Sequence, residues 1–167
     1  MSAASPPIED YLAGVWALRS AVAGMNRDQL KARPVEGKWS TLEVVCHLAD
    51  FESIYADRIK RIIATDRPLV TSAGHQDYAA NLAYHDRDLD EELDLIEATR
   101  RSMARTIRAL DPKVLDRVGL YRDDKGAEDE RTAGRLFALI SGHIAHHLPF
   151  VVEKRRALGL PEVVALG

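Results

Sequence analysis

The chain has little of what several common classes of protein require. Its one cysteine, Cys46, excludes an intramolecular disulfide framework and fits a reducing cytoplasm. Aromatic residues make up 6% of the 167 residues and the formal net charge is -3, so no positive field attracts nucleic acid. No segment approaches the roughly 20 apolar residues that span a bilayer, and the start of the chain lacks the pattern of a signal peptide. We therefore expect a cytoplasmic protein that binds neither nucleic acid nor membrane.

What the chain does have is enough apolar sequence for one core. Apolar residues make up 46% of it, and its length lies in the usual range for one domain. We expect a single domain over residues 1–167 with its core at about 8–161.

Apolar residues recur at helical spacing in four segments. The first predicted helix runs from about Ile8 to Met25, and the second follows a capping box of Ser40 and Glu43 and ends near residue 65. The third covers about 89–110, and the fourth follows a cap at Thr132 and ends before Gly159.

Two segments between these helices lack helical periodicity. Residues 66–88 are predicted as a long loop, with room for a short helical piece near Tyr78, and residues 118–131 as an exposed loop or small hairpin. Since neither segment contains a credible buried strand, the fold class is all-α, an up-and-down four-helix bundle or a close relative.

Three histidines on two helices carry the chemical information. His143 and His147 are four residues apart, so on a helix their side chains differ by about 40° in direction and about 6 Å in height. Both lie on the apolar stripe of the fourth helix, and His47 lies among apolar residues two turns inside the second. Bundles build metal sites in this way, with ligands from facing helices. Three neutral imidazoles suit zinc, nickel, iron or cobalt and leave a position for water or substrate.

Other interpretations of these histidines remain open. A core histidine bonded to a backbone carbonyl would explain His47 alone more often than a metal does. His146 points about 100° away from its neighbour and is placed at the edge of the stripe. His75 and His85 are most simply solvated loop residues, although either could approach an open metal face. Asp50 could orient the ring of His47 or be an exposed acid.

Several further residues receive structural interpretations. Trp16 and Trp39 are predicted to pack in the core or at the start of a helix, and Cys46 to be a small buried residue. Pro149 removes a hydrogen bond inside the fourth helix and can kink it. The arginines of the third helix are predicted to form a solvated face; they are Arg100, Arg101, Arg105 and Arg108.

Two sequence motifs resemble the DinB/YfiT-like superfamily of four-helix metal proteins. One is Gly-Lys-Trp-Ser-Thr-Leu-Glu at 37–43 leading to His-Leu-Ala-Asp at 47–50, and the other is Gly-His-Ile-Ala-His-His at 142–147 leading to Arg-Ala-Leu-Gly-Leu-Pro at 156–161. Their order and spacing match over about residues 8–161. The resemblance implies that His47, His143 and His147 bind one divalent ion, most commonly nickel or zinc, with iron, cobalt or manganese as further candidates.

The resemblance also implies two kinds of reaction, metal-dependent hydrolysis and transfer that uses a low-molecular-weight thiol. The chain shows no Ser/His/Asp triad or phosphate-binding glycine loop, so no catalytic side chain is predicted beyond the ion's ligands. We expect an enzyme that acts on a small molecule. Residues 66–88 and 118–131 are expected to form the wall of its pocket. The alternative is a non-catalytic helical module, a homodimer through exposed helix faces, in which the ion is absent or only structural.

Overall fold

The computed structural model describes residues 8–161, and its framework is a bundle of four long helices. In chain order the elements are α1 (Ile8–Val22), α2 (Arg27–Lys31), α3 (Thr41–Ala64), β1 (Leu69–Thr71), α4 (His75–Asn81), α5 (Leu89–Ala109), β2 (Val118–Arg122), β3 (Glu128–Thr132) and α6 (Ala133–Ala157). Short 3₁₀ turns at Tyr84–Asp86 and Pro112–Asp116 precede and follow α5. The predicted all-α four-helix bundle is confirmed.

The caps predicted from the sequence set the starts of the two helices that carry the histidines. The Ser40 hydroxyl accepts a hydrogen bond from the Glu43 amide, and the Glu43 carboxylate accepts one from the Ser40 amide at 2.7 Å. The Thr132 hydroxyl accepts from the amide of Arg135 at 3.1 Å and starts α6. Pro149 lies within α6 without ending it, because the helix continues to Ala157.

Helix α1 ends at Val22, three residues before the predicted end at Met25. The chain leaves the helix through Gly24, whose φ of 73° is a left-handed conformation that glycine adopts at little cost. A short helix, α2, follows with a capping box of Asn26 and Gln29 that was not predicted.

A small three-stranded sheet corrects the expectation that the chain has no buried strand. Strand β1 pairs in parallel with β2, which forms the predicted hairpin with β3. Val70 and Tyr121 from the sheet are buried against the bundle with Ile62 of α3. A Cβ atom at Gly119 would lie 2.6 Å from Cγ1 of Ile62, so the sheet approaches α3 this closely only with glycine there.

The long helices α1 and α3 each pack mainly against α5 and α6, so the order around the bundle is α1, α5, α3, α6. Consecutive helices α1 and α3 therefore lie on a diagonal, and so do α5 and α6. The connections between them are long enough to cross an end of the bundle, and they contain α2 and the β2–β3 hairpin.

Arg100 of α5 contacts the other three long helices, and its burial corrects the prediction of a solvated arginine face. Its side chain is 0% exposed and pairs with Glu52 of α3, Nε to Oε2 at 2.9 Å. Its guanidinium also donates to the backbone oxygens of Tyr11 in α1 and Ile140 in α6, at 2.5 and 3.1 Å. The Tyr11 hydroxyl donates to Glu52 Oε1 at 2.5 Å.

Trp16, predicted as a packing residue, is 64% exposed instead.

Helix α6 is long and apolar enough to cross a membrane by length and composition alone, which is weak evidence for a span. It packs against α1 and α3, and its buried side chains include Phe137, Ile140 and Ile144. We interpret it as a core helix of the bundle, since the core helix of a globular protein passes the same test.

Candidate metal centre

The structure brings together the three histidines that the sequence singled out. His47 lies in α3, and His143 and His147 lie one turn apart on the facing side of α6. The Nε2 atoms of His47 and His143 are 3.2 Å apart, and one ring nitrogen from each of the three lies within 4.8 Å of the others. Two nitrogen ligands at 2.0–2.1 Å from a tetrahedral ion lie about 3.4 Å apart. The histidine cluster, as we call these three residues, therefore has nearly the spacing that one ion requires.

Burial keeps the histidine cluster neutral. Together with the charges of neighbouring histidines, it lowers the pKa of His47 to about 3 and that of His143 and His147 to about 4. Only neutral imidazoles bind a metal ion, so the cluster is ready to bind one at pH 7.

One nitrogen in each ring of the cluster, Nδ1, lacks a partner in the described part of the protein. The Nδ1 atoms of His47, His143 and His147 are buried without a hydrogen bond. Among the described side chains, Thr41 Oγ1 is the one other buried polar atom without a partner. Each such atom costs about 1–3 kcal/mol in a folded protein. An ion held on the converging Nε2 atoms of His47 and His143 would leave their Nδ1 atoms unpaired, so the fit to a divalent ion rests on the convergence of the rings.

Aromatic and aliphatic side chains form the wall around the cluster. The ring centroid of His47 lies 4.5 Å from that of Phe51 and 5.2 Å from that of Trp39. With Tyr55 and Leu139, these residues line a cavity of about 410 Å³ that reaches His143 and His147. The volume suits a small molecule, and the apolar wall limits access of water to the ring nitrogens.

A second cavity of about 250 Å³ adjoins the first and shares Trp39, His75 and His147 with it. Its remaining wall includes Lys38 and Lys154. Sequence analysis missed Lys154, although its position seven residues after His147 places it on the same face of α6.

The remaining histidines have different surroundings. His75 begins α4, its ring centroid is 6.3 Å from that of His47, and it lines both cavities. His85 Nε2 lies 3.3 Å from a Glu43 oxygen, and His85 lines neither cavity. His146 is exposed, as expected at the edge of the stripe, although its side chain reaches the rim of the larger cavity.

Two further expectations about the site are wrong. Asp50 neither orients His47 nor is fully exposed; it accepts hydrogen bonds from Arg87 and from the Tyr84 hydroxyl. Residues 118–131 contribute nothing to the described lining of either cavity, because the hairpin packs near Ile62, about four turns further along α3 than His47. Of the two segments predicted as walls, only 66–88 lines the described cavities, through His75 and Gln76.

A sequence profile of the DinB superfamily matches residues 16–151, most of the chain. The chain belongs to the DinB superfamily. The resemblance seen in the two histidine motifs is thus confirmed by a match that includes His47, His143 and His147.

Several DinB relatives carry provisional names as metal-dependent hydrolases. A protein of Bacillus licheniformis is 27% identical over 142 residues, which cover 85% of this chain and 79% of that protein. A protein of Geobacillus thermodenitrificans is 27% identical over 143 residues, with 86% and 79% covered. These names describe the relatives, and both alignments cover most of each chain.

The fold is that of a solved DinB-like structure. YfiT from Bacillus subtilis, described as a probable metal-dependent hydrolase with an unusual four-helix bundle topology, superposes with a TM-score of 0.83. The superposition covers 96% of this chain and 93% of YfiT at 20% sequence identity, and at that identity it shows the fold alone.

Proposed function

We propose that the protein is a metal-dependent hydrolase of a small molecule and that His47, His143 and His147 hold its single divalent ion. The observation that carries the proposal is the convergence of three neutral imidazoles, one buried and two half-buried, whose ligand atoms lie within 4.8 Å of one another. The provisional names of the relatives as metal-dependent hydrolases support the type of reaction.

The residues around the cluster define what the protein contributes. His47, His143 and His147 provide three ligands and no negative charge, a set that suits zinc or nickel, and iron, cobalt or manganese less well. Once bound, the ion supplies Lewis acidity, which polarises the bond to be cleaved and lowers the pKa of water. Phe51 and Trp39 exclude bulk water from the ligands and provide an apolar surface for the substrate.

Transfer that uses a low-molecular-weight thiol would need the same ligands and is the second reaction that the site allows. We propose hydrolysis first because the names of the relatives favour it. We further propose a cytoplasmic location, since the single cysteine is buried and needs no oxidising compartment. Assembly as a homodimer also stays a proposal.

The test is a screen of the zinc-loaded protein against small esters and amides. It is repeated with a low-molecular-weight thiol and molecules that can accept it. We expect turnover that His147→Ala lowers at least 100-fold and that the matched variant His85→Ala, a histidine that lines neither cavity, leaves within about twofold. Equal activity of the two variants would refute the proposal. Products that form only when a thiol acceptor is present would replace the hydrolase with a transferase.

A further inference from the structure

Lys154 is a buried charge that the proposed metal site does not use. Its side chain is 2% exposed. It follows His147 by seven residues, so both lie on one face of α6, with their Cα atoms about 10 Å apart along the helix. The Lys154 Nζ atom donates to the Phe150 backbone oxygen at 3.0 Å, so the side chain runs back towards His147.

The ammonium of Lys154 lacks an ion-pair partner among the described residues. Its one hydrogen bond, to Phe150, leaves two of its three donors without a protein acceptor. The charges of Glu153 and Glu43 favour the ammonium without pairing with it, and the Glu43 carboxylate is already bound by Arg33. Burial outweighs them and lowers the pKa of Lys154. A buried, unpaired cation is unfavourable in the protein alone and is favourable with an anion.

The cavity of about 250 Å³ beside the histidine cluster places a second cation close to the first. Lys38 and Lys154 both line it, and the charge of Lys38 contributes to the lowered pKa of Lys154. Trp39 and Phe150 form apolar walls, and His147 lies at the end shared with the metal site. The cavity thus combines positive charge with apolar surface next to the proposed ion.

We propose that this cavity is a subsite for a carboxylate of the substrate, with Lys154 as its main partner and Lys38 at its mouth. The inference rests on the proposed function for the reaction itself, which takes place at the histidine cluster. It assigns the substrate to a class, small organic acids with an apolar or aromatic body between the carboxylate and the bond that is cleaved. The distance along α6 between His147 and Lys154 limits that body to about one ring and a short chain.

The test measures binding of phenylacetate, with the neutral isostere phenylacetamide as the matched ligand. Trp16→Phe leaves Trp39 as the single tryptophan, so its fluorescence reports on the cavity. In this background, with the metal removed by chelation, we expect saturable quenching by phenylacetate at least tenfold tighter than by phenylacetamide. Lys154→Met, similar in length and uncharged, should weaken phenylacetate binding at least tenfold. Lys60→Met, exposed on α3 outside the cavity, should not change it.

Equal affinity for the acid and the amide, or full binding by Lys154→Met, would overturn the subsite. Lys38→Met, at an exposed loop position, provides a second variant that leaves the core intact. It should weaken the binding of phenylacetate severalfold. Inorganic phosphate is the third probe, and binding of phosphate in place of phenylacetate would overturn the choice of a carboxylate. Because binding is measured without metal, loss of the subsite and loss of the metal-dependent reaction are separate results.

Discussion

The buried pair of Arg100 and Glu52 should dominate the stability of the bundle. Glu52→Gln removes the negative charge and keeps an oxygen that can accept from the Tyr11 hydroxyl. Arg100→Met removes the positive charge together with the donors to the backbone oxygens of Tyr11 and Ile140. Each single substitution leaves the other charge buried without its partner, at exposures of 0% for Arg100 and 2% for Glu52.

The expected magnitude follows from that burial. Removing one partner of a buried ion pair costs about 3–5 kcal/mol, whereas replacing both charges with neutral side chains is often much less costly. The double variant should therefore lose clearly less stability than the sum of the two single losses, and the double-mutant cycle should give a coupling free energy of about 2 kcal/mol or more. Asp57→Asn, which breaks an exposed ion pair with Arg61 on α3, should change stability by less than about 0.5 kcal/mol.

Urea denaturation of the metal-free protein measures these free energies, with an unchanged slope as the sign that the unfolding transition is the same. A single substitution at Arg100 or Glu52 that costs under about 1 kcal/mol would refute the reasoning. So would additive effects in the cycle, because they would show that the two charges do not stabilise each other.

Three further predictions follow from burial. Because the pKa values of the histidine cluster are lowered by folding, the unfolded chain binds more protons than the folded protein between pH about 6.5 and 4. The metal-free protein should therefore lose about 1 kcal/mol of stability per pH unit and per histidine as pH falls through that range. Urea midpoints that do not change with pH would contradict this. Burial raises the pKa of Cys46 to about 12, so a disulfide reagent should label it only after unfolding, and rapid labelling of the native protein at pH 7 would be inconsistent with the structure. Gly14→Ala would place a Cβ 2.6 Å from Arg100 Nη1 and should cost about 1–3 kcal/mol in thermal unfolding, whereas Gly142→Ala, with open space around it, should cost nothing; equal effects would count against the close contact.

The four long helices could be predicted because their signals are local. The capping box of Ser40 and Glu43 and the cap at Thr132 mark helix starts within a few residues of sequence. Strand β1 could not be predicted in the same way. It has three residues with a single buried side chain, Val70, and it pairs in parallel with a strand about 50 residues further along the chain.

In the candidate site, too, the features with local signals could be predicted and those that depend on distant residues could not. The spacing of His143 and His147 follows from helical geometry alone, and the apolar neighbours of His47 indicated which way it faces. The burial of Arg100 could not be read from its own helix, because it depends on Glu52, 48 residues away, and on the diagonal arrangement of the helices. Lys154 was missed for a similar reason, since its cavity is formed in part by residues 37–39 from the loop before α3.

The central claim is that one divalent ion binds to three imidazoles from α3 and α6. Equilibrium dialysis of the metal-free protein against zinc tests it directly, with His47→Ala and His143→Ala as site variants and His146→Ala as the matched control. The account predicts one zinc per chain in the control and in the unsubstituted protein, and an affinity at least 100-fold weaker in either site variant. Stoichiometric, equally tight binding in all four proteins would contradict it.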